Sequence, residues 1–314
     1  MEKVIVVIGP TSVGKTKMGV ALAKKFNGEV ISGDSMQIYK QMDIGTAKVT
    51  EEEKEGIIHH CVDILNSDET YSVHDFQQTV RKKITEITQR GHVPIIVGGT
   101  GLYIKAALYD YQFDEMENDH HAINEKYKDY TNEQLHDYLK SIDEESAKTL
   151  HFNNRRRVLR AIEIYETTGK RKSEMLEEQE HICLYDAYFV GLTLPRDVLY
   201  ERINKRVDVM MENGLKEEMD CLYSQGLTRN HQSMKAIGYK EWFDYYDHQI
   251  DLNDVLELIK KHSRQYAKRQ YTWFKNQFDV HWYDVNLENF EQTIEQVTDD
   301  IETVSYTHLT LPTI

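Results

Sequence analysis

Gly9-Pro10-Thr11-Ser12-Val13-Gly14-Lys15-Thr16 has the spacing Gly-x-x-x-x-Gly-Lys-Thr, and what flanks it decides the fold. An apolar run, residues 4–8, leads into it, and a helical pattern opens near Lys17. Strand, glycine-rich turn and helix N-terminus in that order aim backbone N–H groups at one point, where an anion is stabilised. Lys15 adds a point charge, and the Thr16 hydroxyl suits a Mg²⁺ ion shared with phosphate oxygens. A di- or triphosphate is therefore expected here, in preference to a plain turn carrying a surface lysine.

Working outward, short apolar runs alternate with helical periodicity, which predicts an α/β fold with a parallel sheet flanked by helices, like that of P-loop NTPases. Strands are expected at 4–8, 29–32 and 93–97, with helices at 15–26, 73–90 and after Gly101. Ser72 with Asp75 is a near capping box for the second helix. The stretch 33–63 reads as polar loop. After Tyr111 the pattern changes: an acidic irregular run at 114–119, helices through 122–168, a break at 169–172, then a polar helix to about 180. We read 113–183 as an all-helical insertion into a core made of 1–112 and 184–304. Within that second part, strands are expected at 185–194 and 280–283, with helices at 198–211, 215–225, 235–246 and 252–276. Residues 305–314 carry no charge, and a disordered tail is expected there.

Composition narrows the class. Of 314 residues, 40% are hydrophobic and 29% charged, which is ordinary for a soluble domain. No run is long enough to span a membrane, and Met1 to Lys3 lead straight into a strand, so neither a membrane partner nor a secretory or transit signal is expected. Cys61, Cys183 and Cys221 lie far apart, which argues against zinc or disulfides and fits a reducing cytoplasm. A net charge of −15 disfavours nucleic acid at first sight, but local charge decides such binding.

Asp34 ends the second strand, beside the phosphate loop, while the 93–97 strand ends in Gly98-Gly99-Thr100, without the acid that an ATP-hydrolysing loop protein would carry there. That arrangement suits a transferase whose base meets a second substrate over the loop; alternatively, Asp34 caps a turn. Gly98, Gly99 and Gly101 either admit a close approach or form a tight turn. Arg155, Arg156, Arg157 and Arg160 share a helix with Lys170, Arg171 and Lys172 beyond. Lys268, Arg269 and Lys275 interleave with Tyr271, Trp273 and Phe274. Such clusters contact phosphates and stack bases, or else are solvated helix faces. Arg202 and Arg206, one turn apart, either fork onto phosphates or are a surface pair.

With these residues in hand, the chain resembles the bacterial tRNA dimethylallyltransferase (tRNA isopentenyltransferase) family over about residues 4–283. The likeness rests on 9–16, 33–39, 42–48, 97–103 and 268–273 in order, and more loosely on 153–161 and 237–239. The chain departs from many relatives at Asn153-Asn154-Arg155, and it lacks the paired Cys and His of the zinc finger found in eukaryotic members. The resemblance implies transfer of a dimethylallyl group from its diphosphate to N6 of the adenine 3′ of the anticodon, a prenyltransferase reaction (EC 2.5.1 class). Gly9, Pro10, Thr11, Ser12, Val13, Gly14, Lys15 and Thr16, with Arg202 or Arg206, would then hold the diphosphate, and Thr16 the Mg²⁺. Asp34 would be the base, Thr100 would assist, and Lys15 and Thr16 would stabilise the leaving group. The anticodon stem–loop would be gripped by Asp34, Ser35, Met36 and Gln37; by Arg156, Arg157, Val158, Leu159 and Arg160; by Lys235, Gly238, Tyr239 and Lys240; and by Lys268, Arg269 and Trp273. No protein partner is required, and a cytoplasmic monomer is expected.

The rivals are a small-molecule kinase, a prenyltransferase of free adenine nucleotides, and a nucleotide-gated RNA-binding switch. Thermal unfolding separates the donors. Dimethylallyl diphosphate at about 100 times its Kd is expected to add about 2.7 kcal/mol of stability. Protection by ATP alone would favour the kinase or the switch.

Overall fold

Val4, Val6 and Ile8 point to one side of their strand and Ile5 and Val7 to the other, and each set is buried. A strand buried on both faces belongs in the middle of a parallel sheet. The computed structural model describes residues 1–111, 120–177 and 181–309. In chain order its elements are β1 (Lys3–Ile8), α1 (Lys15–Lys25), β2 (Gly28–Ser32), α2 (Glu51–Lys54), β3 (His59–His60), α3 (Val73–Gln89), β4 (Val93–Val97) and α4 (Gly101–Leu108). Then come α5 (His120–Lys126), α6 (Asn132–Ile142), α7 (Glu144–Thr149), α8 (Arg155–Thr168) and α9 (Lys172–Glu177). The chain closes with β5 (Asp186–Thr193), α10 (Arg196–Glu212), α11 (Leu215–Ser224), α12 (Trp242–Tyr246), α13 (Leu252–Gln277), β6 (His281–Asp284) and α14 (Phe290–Leu309).

The six strands form one sheet in the order β3-β2-β4-β1-β5-β6, and every pairing is parallel. On one face Val4, Val6 and Ile96 pack with Phe76, Val80 and Ile84 of α3 and Phe274 of α13. On the other, Ile5, Val7 and Ile95 pack with Met18 and Leu22 of α1 and Val297 and Ile301 of α14. From β1 the chain crosses toward β2, whereas from β4 it leads on to β5 on the far side of β1. Adjacent strands whose connections run in opposite directions leave a crevice at their C-terminal ends, where α/β sheets bind ligands.

The chain divides into two compact units, Met1–Tyr109 with Cys183–Ile314, and Asp110–Ile182. The seam lies a few residues from the expected one because Tyr109 pairs with Cys183 and the Leu184 N–H donates to the Leu108 carbonyl. In the smaller unit Leu135 and Leu139 of α6 bury against Val158 and Ile162 of α8. The expected acidic run at 114–119 lies outside the described residues, as do residues 178–180 of the expected polar helix, which runs as α9 from Lys172 to Glu177.

Ser72 and Asp75 form both halves of a capping box at α3. Three expectations need correction. The loop assigned to 33–63 contains α2 and β3, both too short to show a period. The helix assigned to 235–246 is a 3₁₀ turn at Ser233–Lys235 followed, after turns, by α12, because Gly238 adopts φ 98° and breaks the run. The tail assigned to 305–314 is helical through Leu309, since α14 propagates one bond per residue once docked; 310–314 lie outside the described residues.

β2 and β4 end against each other at glycines. A Cβ on Gly98 would lie 2.3 Å from the carbonyl carbon and oxygen of Gly33, and backbone there cannot yield. Gly98→Ala is expected to cost about 3 kcal/mol, the upper range for overpacking, read as a lower denaturant midpoint. An unchanged midpoint would contradict this contact.

Candidate active site

The C-terminal ends of β1, β2 and β4 carry the three loops that make the site. After β1, α1 begins at Lys15 behind Gly14, with no side-chain cap and no acid in its first turn. Its leading N–H groups are those that a bound anion would satisfy. Lys15 Nζ donates to the carbonyls of Gly9 (3.0 Å) and Pro10 (2.8 Å), which fixes it over the loop. Ser12 stands in the left-handed region at φ 66°, and its buried hydroxyl has no partner among the described residues. Val13 is buried in the core beneath, so it contributes backbone only. From α10, Arg202 Nε donates to the Ser12 carbonyl (3.0 Å) and Arg206 Nη1 to Thr11 Oγ1 (3.4 Å). Both guanidinium groups thus reach the phosphate loop, Arg206 half-buried and Arg202 exposed.

Two cavities open here. The larger, about 560 Å³, takes in Lys15, Thr16, Arg202 and Arg206, with Val30, Val49, Val62 and Val97 among its walls. The smaller, about 360 Å³, is lined by Ser35, Met36, Lys235, Gly238, Lys240, Tyr266 and Arg269. Thr11, Ser12, Asp34, Thr46, Ala47 and Arg206 line both. Asp34 Oδ1 accepts the Met36 N–H at 2.8 Å. The turn-capping alternative is thus correct as far as it goes, and the carboxylate also faces both cavities.

Burial pushes the Asp34 carboxyl above the usual carboxylate range, against the Met36 N–H and the charges of Lys15 and Arg206. Burial, helped by Arg206 and opposed by Asp34, pulls the Lys15 ammonium down to about 7. Thr16 offers a hydroxyl at the larger cavity, and among the described residues no cluster of His, Cys, Asp or Glu could cage a metal. That donor set fits a hard ion held chiefly by phosphate oxygens.

The remaining sequence candidates divide. Thr100 lines neither cavity; its Oγ1 accepts the Ser35 N–H (3.1 Å) and so braces the turn that carries Asp34. The Gln37 amide is spent on the carbonyls of Thr46 and Ala47 (3.4 and 3.3 Å). Tyr239 is fully buried and its hydroxyl donates to Glu218 (2.6 Å), so its side chain is structural. Val158 and Leu159 are likewise core of the smaller unit, because helical spacing turns them inward while Arg156 and Arg157 face out. Arg160 pairs with Glu163 at 2.8 Å. Lys268 is exposed, and the Trp273 ring covers Gly101, where a Cβ would meet it at 2.2 Å.

Sequence reasoning missed Tyr266, Gln270 and Glu218. Gln270 sits on the stripe of α13 that buries Val255, Ile259 and Phe274, and a polar residue on such a stripe was the available signal. Glu218 accepts the N–H groups of Asp43, Ile44 and Gly45, holding the loop that ends in Thr46 and Ala47.

Lys15 titrates at about 7 when folded, against 10.5 for an ordinary lysine. Between those values the unfolded chain binds more protons, so this group makes the fold more stable as pH rises through the window. A diphosphate bound at Lys15 would pull the proton back. Titration calorimetry in that window but well above pH 7, in buffers of different ionisation enthalpy, should register uptake approaching one proton per prenyl diphosphate bound; no uptake would contradict the charge role of Lys15.

A family model described as IPP transferase matches residues 37–277. The tRNA dimethylallyltransferase of Bacillus cereus (strain AH187) is 54% identical over 287 residues, 90% of each chain. The crystal structure of a tRNA isopentenylpyrophosphate transferase from Staphylococcus epidermidis is similar at 47% identity and TM-score 0.72, over 96% of this chain and 99% of that one. A eukaryotic dimethylallyltransferase solved acting on tRNA is similar at 32% identity and TM-score 0.86, over 98% of this chain and 80% of that one. The loops, the paired cavities and these likenesses agree: the chain belongs to the tRNA dimethylallyltransferase (IPP transferase) family.

Proposed function

We propose that this protein transfers the dimethylallyl group of dimethylallyl diphosphate to N6 of the adenine 3′ of the anticodon in tRNA. The observation that carries the reading is Asp34, one carboxylate lining both a phosphate-loop cavity and a second cavity ringed by cations. The donor's diphosphate would rest on 9–16, Arg202 and Arg206, with its hydrocarbon among the valines. Mg²⁺, held by Thr16 and phosphate oxygens, would neutralise charge on the leaving group. The adenine would leave its stack, at a cost of a few kcal/mol, and enter the smaller cavity.

The chemistry then balances. The bond from the allylic carbon to the diphosphate oxygen breaks, and its electron pair leaves with the diphosphate. N6 bonds to that carbon, and its proton passes to Asp34. A carboxyl raised toward the working pH is a better proton acceptor than an ordinary one. Lys15 and the arginines supply preorganised charge where charge develops. Lys235, Lys240 and Arg269, which line the second cavity, would meet backbone phosphates, and the exposed Arg156 and Arg157 would add further contacts. Because tRNA is the substrate and the three cysteines are free, we place the protein in the cytoplasm.

A small-molecule kinase is disfavoured by Gly98 and Gly99 at the end of β4, where no carboxylate stands. Unmodified tRNA with labelled dimethylallyl diphosphate should give N6-isopentenyladenosine on nucleoside analysis; label transferred to free nucleotide alone would overturn the reading. Asp34→Ala is expected to lower turnover about 10²–10⁴-fold with tRNA affinity kept. Undiminished turnover would remove Asp34 as the base. Arg156→Ala with Arg157→Ala should weaken tRNA binding and flatten its salt slope by about one log unit or more; an unchanged slope would leave both as plain surface.

A further inference from the structure

Gln270 is nearly buried, and both ends of its amide are used at long range. Oε1 accepts the N–H of Thr11 at 3.0 Å, and Nε2 donates to the carbonyl of Gly99 at 2.9 Å. Tyr266, one turn earlier on α13, adds its hydroxyl to the same Gly99 carbonyl at 3.3 Å. A Cβ on Gly99 would stand 2.2 Å from Gln270 Nε2, so the fit leaves no slack. Thr11 belongs to the phosphate loop and Gly99 to the turn after β4. Arg269, beside Gln270 on the same helix, lines the smaller cavity, and Lys268 is exposed. One side chain thus ties the loop after β1 to the loop after β4 and hangs both on the helix that carries the outer cations.

We propose that Gln270 is a positioning residue, an amide strut that holds the donor's phosphate loop in register with the turn after β4, the two loops that wall the larger cavity. The proposal rests on the prenyl-transfer reading above. The amide accepts from Thr11 and donates to Gly99 at once whatever the pH, which an ionised carboxylate or an apolar side chain of this length does not. A glutamate keeps the first bond, loses the second and puts a charge against the Gly99 carbonyl. A methionine of similar length keeps the packing and loses both. The strut faces the donor half, so its loss acts on donor binding and turnover while RNA affinity stays.

The test compares wild type, Gln270→Met and Gln270→Glu. Folding is followed by circular dichroism, inorganic pyrophosphate binding by calorimetry, tRNA binding by filter retention, and prenyl transfer by steady-state kinetics. Both variants are expected to raise KM for the donor and weaken pyrophosphate binding about tenfold or more. Both should lower kcat about tenfold and leave the Kd for tRNA within twofold. A folded Gln270→Met with wild-type donor KM, kcat and pyrophosphate affinity would overturn the proposal. So would a loss confined to tRNA affinity, which would make Gln270 an RNA contact. If Gln270→Met fails to fold, Gln270→Glu, which keeps the Thr11 bond, carries the same comparison. Absence of transfer by the wild-type enzyme would instead strike at the reading, and pyrophosphate affinity would still judge the strut.

Discussion

The site depends on a backbone contact that tolerates no side chain. Gly98 packs on Gly33, and this brings the ends of β4 and β2 together next to the loop after β1. Gly33 N–H donates to the Val97 carbonyl (2.8 Å), and Thr100 N–H to the Gly33 carbonyl (3.2 Å), which sews the junction. Asp34 is the next residue, and its direction follows from that seam. Move the glycines apart and the carboxylate leaves the wall that the two cavities share.

Electrostatics follows from the same geometry. Lys15, Arg206 and Asp34 lie together, each half-buried at the cavity wall, and desolvation works against each charged form: it raises the acid and lowers the lysine and the arginine. A site so arranged is poised to change protonation when an anion arrives. On the strand leading to Asp34 a buried charge is compensated. Glu29, at the far end of β2, is held by Arg90, His60 and His92 and lies at about 2. The contrast is between a carboxylate spent on fixed partners and one that lines two open cavities with its pKa raised.

Much of this was legible in the sequence because it rests on local rules. The phosphate loop, the strands around it, the capping box at Ser72 and the helical character of the insertion each follow from spacing and period. The prominence of Asp34 followed from its place at a strand end. What escaped was long-range. Nothing within a few residues of Gln270 reveals that its amide meets Thr11, and nothing near Glu218 reveals three N–H groups from 43–45. β3, two residues long, is too short to carry a period, and Gly238 broke a helix that the flanking apolar residues suggested. Tyr239, Val158 and Leu159 came in with whole segments that the resemblance implies contact tRNA, whereas helical phase and packing turn their side chains in.

The central claim is that one carboxylate meets both substrates. Its most direct test is the structure of a ternary complex with an unreactive analogue of dimethylallyl diphosphate and an unmodified anticodon stem–loop. The account predicts the diphosphate on Lys15 in the larger cavity, the adenine in the smaller, and N6 within about 3.2 Å of an Asp34 oxygen. Adenine bound elsewhere, with its amine out of hydrogen-bond reach of Asp34, would contradict it.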